Sequence, residues 1–246
     1  MDNKKVMAIK TDILAFAAHP DDVEISCSGT LLKYISLGKT VGIIDLSKGE
    51  LGTRGSAEIR QEESNKSSEI MGIHFRENLG FKDGFFVHDN HNMLEILRII
   101  RKYKPEIVLA NTPSDRHPDH GRASKLIAEA CFYSGLSKIE TMYDGIPQEH
   151  WRPKNIYFYI QDNFHKPDFT VDITAFMDKK METIRAFKSQ FYNADSNEIE
   201  TPISGASFLY FIKSRAASFG RYSSVDFAEG FLVSRVPEVS DLFSLR

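Results

Sequence analysis

Several features that define other classes of protein are scarce or absent in this sequence of 246 residues. It has two cysteines, Cys27 and Cys131, and both lie in apolar, helical surroundings, so we predict buried free thiols. We find no run of about 18 apolar residues that could span a bilayer. Residues 1–5 lead directly into a strand and lack the apolar core of a signal peptide. We therefore expect a cytoplasmic protein without a membrane contact.

The chain also lacks a strong excess of charge of either sign. Its formal net charge is -3, which gives no electrostatic reason to expect binding to nucleic acid or to a membrane surface. Linkers rich in Ser, Gly or Pro, internal repeats and low-complexity tracts are absent as well. We predict a single domain over residues 1–246, in which residues 1–135 form the α/β half that carries the chemistry and residues 136–246 form a mixed C-terminal extension.

Strands and helices alternate along the first half of the chain. Residues 13–18, 40–46 and 106–110 are apolar runs typical of strands buried on both faces, and residues 78–81 predict a brief further strand. The segments 27–38, 56–71, 92–103 and 121–131 have helical periodicity. In the second of these helices, Ile59, Ser67 and Ile70 are predicted to face inward. This alternation predicts a Rossmann-like α/β fold, with a mostly parallel sheet flanked by helices.

The second half of the chain is more mixed. Short strands are predicted at residues 156–160 and 169–173, and helices at residues 176–191 and 204–219.

Two similar polar clusters follow two of the predicted buried strands. Residues 19–22 (HPDD) follow the first strand, and residues 117–120 (HPDH) follow the strand at 106–110. Sites in open α/β sheets form at the carboxyl ends of strands. His19, Asp22 and His120 supply two imidazoles and a carboxylate, a set that suits zinc or another divalent metal such as ferrous iron.

The residues beside these ligands suggest hydrolytic chemistry. Asp21 would take a proton from water activated by the metal. His117 would carry a proton and stabilise negative charge on an attacked carbonyl oxygen, and Asp119 would orient His117. A single Asp or His after a strand is more often an N-cap or a surface residue, and Asp22 and Asp119 could both be caps. Two paired clusters, each after a buried strand, favour the metal site.

These motifs resemble those of the LmbE/PIG-L family of metal-dependent N-acetylglucosaminide deacetylases. The resemblance covers most of residues 13–232 and includes SKGELGTRG, the Arg-x-x-Glu at residues 60–63, WRPKNIYFYIQD and DFAEGF. These segments are similar to the branch that makes bacillithiol, which removes acetate from N-acetylglucosaminyl malate. The resemblance implies one zinc ion held by His19, Asp22 and His120, with Asp21 as general base.

The same resemblance implies the remaining site residues. His117 would be the charged partner of the tetrahedral intermediate, with Asp119 behind it. Arg60 and Asp83 fall where the family holds sugar hydroxyls, and Arg54 is similar to an arginine that would face the malate carboxylates. Exposed charges are the alternative for the two arginines, and a simple turn residue is the alternative for Asp83.

The resemblance also implies a small-molecule sugar substrate and a homo-oligomer, since relatives form hexamers. Glu229 would line the pocket, reach a neighbouring subunit or form a loop salt bridge. The histidine-bearing turn at residues 86–92 has no assigned role.

Two other functions stay open at this point. One is a hydrolase of the same fold that acts on another N-acyl sugar or a mycothiol-like conjugate. The other is a sugar-binding protein without catalysis, against which Asp21 argues, because binding alone needs no base beside a metal.

Overall fold

A computed structural model describes residues 10–244, so the predicted features of residues 1–5 lie outside the described part of the chain. The strands are β1 (Ile13–Ala17), β2 (Val41–Ser47), β3 (Phe75–Phe81), β4 (Ile107–Asn111), β5 (Met142–Tyr143), β6 (Ile146–Pro147), β7 (Asn155–Tyr159), β8 (Phe169–Asp172) and β9 (Ala228–Val233). The α-helices are α1 (Asp22–Ser36), α2 (Ala57–Met71), α3 (Asn90–Tyr103), α4 (Pro118–Tyr133), α5 (Met177–Arg185) and α6 (Ala206–Ser223). Among residues 10–244, no helix has both the length and the apolar character needed to cross a membrane.

Within the described residues, seven strands form one sheet in the order β3-β2-β1-β4-β7-β9-β8, and β5 and β6 form a separate hairpin. Strands β3, β2, β1, β4 and β7 pair in parallel. Strand β9 runs antiparallel to both β7 and β8. The predicted Rossmann-like, mostly parallel sheet is therefore confirmed, and the mixed strands lie toward the C-terminus.

The strand order reverses at β1. The chain runs from β1 to β2 and β3 on one side, then returns to place β4 against the other side of β1. In open α/β sheets, such a reversal leaves a crevice at the carboxyl ends of the two central strands. Both predicted polar clusters follow these two strands, so the fold brings them to the same place.

The core lies on both faces of the central strands. One face of β1 packs on α1 through Cys27 and Leu31, and the other face packs on α3 and α4 through Ile100 and Leu126. Cys27 and Cys131 are both buried and unpaired with each other, which confirms the predicted free thiols. A third apolar cluster joins α5 and α6 to Ile25 on α1. Helix α1 is thus held from the sheet side and from the C-terminal half.

Several element boundaries differ from the predictions. Helix α1 begins at Asp22 rather than at Cys27, because its first turn is built from the polar motif that follows β1. Helix α5 ends at Arg185 rather than at residue 191. Strand β9, which carries Glu229, was not predicted. Glycine and acidic residues in this segment hide the strand pattern, and the strand forms because β7 and β8 pair with it on both sides.

The buried face of α2 is also different from the prediction. Ile59 is 45% exposed, so its predicted inward orientation is wrong. The predicted inward position of Ser67 is confirmed, and Ile70 is half-buried. The other buried residues of this helix are Arg60, Ser64 and Met71. This inner face is largely polar, and a search for apolar periodicity therefore misplaces it.

The turn at residues 86–92 supports the start of α3. Asp89 caps this helix by accepting a hydrogen bond from the Asn92 N–H at 2.9 Å, and Phe86 is buried beneath the turn.

The single-domain organisation and the hexameric assembly stay predictions.

Candidate metal and active site

The turn after β1 places Asp21 in a strained backbone conformation. Its φ angle is +118° and its ψ angle is -23°, a region that residues with a Cβ rarely adopt. The residue occupies the N-cap position of α1, but its side chain does not cap the helix. Strain of this kind persists where the surrounding structure requires a particular side-chain direction. Here it separates the Asp21 carboxylate from that of Asp22, as expected for two residues with different roles.

The turn after β4 is organised by His117 and Pro118. His117 is the N-cap of α4, and its Nδ1 atom accepts a hydrogen bond from the Asp119 N–H at 3.3 Å. Pro118 occupies the first helical position, where its missing N–H costs no hydrogen bond. The N-cap of this helix is therefore His117, so the alternative in which Asp119 is a plain cap does not apply. His120 follows on the first turn of α4.

The three imidazoles of the two clusters converge. The ring centroids of His19 and His117 lie 4.6 Å apart, those of His117 and His120 lie 5.3 Å apart, and those of His19 and His120 lie 5.6 Å apart. One nitrogen from each ring lies within 4.8 Å of a nitrogen of the other two. The separate turns after β1 and β4 thus form one site.

The carboxylate of Asp22 lies between two of these imidazoles. Its Oδ1 atom is 3.2 Å from His120 Nε2, and its Oδ2 atom is 3.7 Å from His19 Nδ1. A tetrahedral ion with bonds of about 2.1 Å places its ligand atoms about 3.4 Å apart, and both contacts of Asp22 are close to this spacing, although they use different oxygens of the carboxylate. Among the described residues, the groups of three whose ligand atoms all lie within 4.8 Å of one another are His19, His117 and His120, and His19, Asp83 and Asp119. The structure therefore brings together the three predicted ligands, and their assignment stays a prediction.

A second group of potential ligands shares His19. The Nε2 atom of this residue lies 3.0 Å from Asp83 Oδ1 and 3.3 Å from Asp119 Oδ2. Asp83, predicted either as a sugar ligand or as a turn residue, is thus buried beside the site. Both nitrogens of His19 face carboxylates, so the imidazole is fixed in orientation from two sides.

Excess negative charge controls the protonation of the imidazoles. Burial disfavours the charged form of His19, but the surrounding carboxylates outweigh this effect and raise its pKa well above its ordinary value. Burial also opposes the charged form of His120, yet Asp22 and Asp115 raise its pKa to about 9. Carboxylates that attract protons to these rings would also attract a metal cation, which replaces the protons when it binds.

Asp21 and His117 have shifts of another kind. Burial raises the pKa of Asp21 to about 7, although the nearby Arg60 guanidinium opposes this shift. Arg60 Nη2 lies 3.6 Å from Asp21 Oδ2. Burial and the positive charges of His19 and His120 lower the pKa of His117. This favours a neutral His117, and because its Nδ1 accepts a hydrogen bond, the proton of the neutral ring lies on Nε2. The role of His117 as the charged partner of the tetrahedral intermediate stays a prediction.

The contact predicted between the Asp119 carboxylate and His117 is wrong. The carboxylate contacts His19 and the Gly84 N–H, which donates to Asp119 Oδ2 at 2.9 Å. The side chain of Arg122 donates to its other oxygen. Asp119 instead reaches His117 through its backbone N–H. Asp119 lies in the first turn of α4. Its side chain points toward β1 and the loop after β3, whereas its backbone N–H points back to the N-cap residue, His117.

Three residues that orient the predicted ligands were missed by the sequence interpretation. Asp115 Oδ2 lies 2.7 Å from His120 Nδ1. The side-chain amides of Asn111 and Gln161 donate to the two oxygens of Asp22, at 3.0 and 2.6 Å. Each of the three lies at or just beyond the end of a central strand, which is the signal that could have identified them.

The cavity above the site has a volume of about 310 Å³ and includes all three residues predicted to bind substrate. Arg54 and Arg60 are both buried, so the alternative of exposed charges is wrong for both. Arg60 also donates to Gln190 at the cavity wall. Arg54 Nε lies 3.3 Å from Glu198 Oε2. The cavity therefore joins the metal-ligand cluster at its base to an arginine at its rim.

Glu229 lies away from this cavity. It is 3% exposed, and its carboxylate pairs with Lys180 Nζ at 2.7 Å. The N–H groups of Gly29 and Thr30 donate to the same carboxylate at 2.9 and 2.7 Å. Of the alternatives left open for this residue, the salt bridge is confirmed, but it lies in a strand and not in a loop.

Comparison with known proteins gives a consistent result. The family model of PIG-L, described as GlcNAc-PI de-N-acetylase, matches residues 14–131. The diacetylchitobiose deacetylase of Thermococcus kodakarensis is 30% identical over 241 residues, covering 93% of this chain and 82% of that protein. A Bacillus anthracis protein, "Probable N-acetyl-alpha-D-glucosaminyl L-malate deacetylase 2", is 25% identical over 193 residues, covering 73% and 81%.

A solved structure gives the same picture for the fold. The conserved protein TT1542 of Thermus thermophilus superposes with a TM-score of 0.84 and is 34% identical, covering 96% of this chain and 100% of that one. The motifs suggested the bacillithiol branch, but the similarity to the B. anthracis protein of that branch, at 25% identity, is weaker than the similarity to the T. kodakarensis deacetylase, at 30%. The family itself does not depend on that branch, and this chain belongs to the PIG-L/LmbE family of deacetylases.

Proposed function

We propose that this protein is a metal-dependent hydrolase that removes acetate from an N-acetylglucosamine-containing saccharide. The observation that carries the proposal is the strained Asp21, whose carboxylate lies beside the imidazoles of His19 and His120 and the carboxylate of Asp22 at the base of an open cavity. A carboxylate that lies next to the metal ligands, but is not itself a ligand, is placed where a general base is needed.

The residues of the chain divide the work of amide hydrolysis. A divalent cation held by His19, Asp22 and His120 would supply Lewis-acid polarisation of the acetamide carbonyl and lower the pKa of water. Asp21 takes a proton from the attacking water as the new carbon–oxygen bond forms. The Nε2–H of His117 donates a hydrogen bond to the oxyanion. As the carbon–nitrogen bond breaks, Asp21 returns this proton to the departing amine. The acetic acid that is formed gives its remaining proton to the amine or to solvent and leaves as acetate.

Two residues at the cavity wall would hold the sugar. Arg60 and Asp83 line the cavity on the side of the metal ligands, and both carry polar atoms suited to sugar hydroxyls. Each also contacts the reacting groups, since Arg60 faces Asp21 and Asp83 faces His19. A sugar bound to Arg60 and Asp83 would therefore also affect the orientation of the base, Asp21, and of one metal ligand, His19.

A second candidate substrate is N-acetylglucosaminyl malate, the substrate of the bacillithiol branch. It is favoured by Arg54, which lines the cavity and could hold a carboxylate. The neutral candidate is N,N'-diacetylchitobiose, on which the T. kodakarensis relative acts by its name.

Acetate release from a panel of N-acetylglucosaminides tests the proposal. The panel contains N-acetylglucosamine, N,N'-diacetylchitobiose, N-acetylglucosaminyl malate and a mycothiol-like conjugate, each assayed with protein of known metal content. We expect hydrolysis of at least one member that is lost after chelation and restored by zinc or ferrous iron. Full activity after complete demetallation would overturn the metal mechanism, and saturable sugar binding without acetate release would identify a binding protein.

A further inference from the structure

The segment at residues 193–203 closes over Arg54 at the rim of the cavity. Glu198 Oε2 accepts from Arg54 Nε at 3.3 Å, and its Oε1 accepts from the Gly55 N–H at 2.9 Å. Ser196 Oγ accepts from Arg54 Nη2 at 2.6 Å. The Arg54 side chain is 5% exposed, whereas that of Glu198 is 46% exposed. A carboxylate of the chain thus occupies a site formed by a guanidinium and a backbone amide.

This arrangement satisfies the atoms that would bind an anionic substrate. A guanidinium and an adjacent N–H form a good receptor for a carboxylate, and here Glu198 already fills it. Hydrogen bonds from Gly55 and from Arg54 lower the pKa of Glu198, so it is ionised at neutral pH. A substrate carboxylate would have to displace this side chain or lie against its negative charge.

The other arginine at the mouth of the cavity is paired in the same way. Arg116 lines the cavity, and its Nε atom donates to the carboxylate of Asp162. Leu51, Ile203 and Phe208 give the cavity apolar surface, and the carboxylates of Asp21 and Asp83 lie at its base. Its rim therefore offers neutralised arginines and apolar contacts, which suit the face of an uncharged sugar ring better than a dicarboxylate.

We propose that Glu198 determines substrate specificity by occupying the anion site at Arg54, so that the cavity prefers a neutral aglycone such as a second sugar over an anionic one. The inference rests on the proposed deacetylation and adds the chemical class of the group attached to N-acetylglucosamine. Glu198 acts through Arg54 and does not touch the reacting atoms.

Replacement of Glu198→Gln tests this role with little change in shape. The amide oxygen can still accept from Gly55, but the negative charge is lost. We expect the ratio of kcat/KM for N-acetylglucosaminyl malate to that for N,N'-diacetylchitobiose to rise about tenfold, the size of one charge-assisted hydrogen bond. The change should appear in KM for the malate conjugate, with kcat nearly constant. Glu200→Gln is the matched control in the same segment and should leave the ratio unchanged.

Binding of L-malate alone gives a readout that does not depend on catalysis. Calorimetry should detect tighter malate binding to Glu198→Gln than to the unaltered protein, and this gain should vanish in the double variant Glu198→Gln with Arg54→Ala. Equal malate affinity before and after Glu198→Gln, or an equal change in kcat/KM for both substrates, would overturn the proposal. If no substrate releases acetate, the proposed function fails, but the malate measurement still decides the role of Glu198.

Discussion

Two of the clusters of buried charge that contact helix α1 differ in how their charges are compensated. The first lies at the amino end of the helix, where Asp21, Asp22 and the nearby imidazoles face the cavity. The second lies against its middle, where Glu229 accepts from Gly29 and Thr30 and pairs with Lys180. The Lys180 ammonium also donates to the Glu24 carbonyl at 3.0 Å.

The difference separates a site that can bind from a site that supports the fold. At Glu229, a fixed cation and two backbone N–H groups compensate a carboxylate that is 3% exposed. At Asp22, the compensating groups include imidazoles, which can exchange their protons for a metal. Buried charge is thus by itself a poor indicator of function, and its access to a cavity and the exchangeability of its partners are more informative.

The largest effect is expected at Asp21. Asp21→Asn should retain the metal but lower turnover at least about a hundredfold, because the base is lost while the ligands remain. His120→Ala should instead lose the metal. Acetate release and metal content per chain, measured on both variants, separate these outcomes. Normal turnover of Asp21→Asn would show that another group is the base.

A large effect on stability is expected from Lys180→Met. This change leaves the Glu229 carboxylate buried without its cation and should lower the free energy of unfolding by about 3–5 kcal/mol. Lys179→Met, at the neighbouring exposed position, should change it by no more than about 0.5 kcal/mol. Urea unfolding measures both. The metal content of the folded Lys180→Met protein should stay normal. Equal free energies of unfolding for Lys180→Met and Lys179→Met would contradict the conclusion that the Glu229 cluster supports the fold.

An intermediate effect is expected from Asp115→Asn. The Asp115 carboxylate lies 2.7 Å from His120 Nδ1 and holds the imidazole ring in one orientation. Loss of such an orienting carboxylate typically weakens metal binding 10–100-fold. Metal titration against a competing chelator measures the affinity. An unchanged affinity would indicate that His120 is oriented by its other contacts or is not a ligand.

The smallest effect is expected at the solvent-facing ion pair of Asp12 and Lys39, which serves as a reference for the two buried clusters. Asp12 accepts from the Thr40 N–H at 2.8 Å and from Lys39 Nζ at 3.2 Å, and the Thr40 hydrogen bond in particular lowers its pKa below 3.8. Its stabilisation is therefore present above about pH 4 and is lost as the pH falls through the folded-state pKa. Asp12→Asn should lower the free energy of unfolding by about 1 kcal/mol or less at pH 7. The difference in this free energy between the unaltered protein and the variant should become smaller below about pH 4. A difference that grows in acid would contradict this assignment.

How much of the site could be predicted depended on whether its residues are adjacent in sequence. The HPDD and HPDH motifs mark His19, Asp22 and His120 because each motif groups ligand-type residues within four positions, and each follows a buried strand. Asp115 lies five residues before His120 in the same loop, but a single Asp at this spacing has no distinctive pattern. Gln161 contacts Asp22 from the end of another strand, so no local spacing connects these two residues. Arg60 was expected at the cavity from family resemblance, but its helix was misoriented because the buried face of α2 is polar. Glu198 has no motif and meets Arg54 only through the fold.

The sequence by itself determined the alternating fold and the kinds of side chain available at the two turns, since apolar runs and short polar motifs are local properties of the chain. Only the tertiary structure decided that the two turns meet, that the Asp119 carboxylate faces His19 and that Glu198 covers Arg54. The physical reason is that these contacts join residues about 100 positions apart or more, whose approach is set by strand order and packing of α1 and not by local preference.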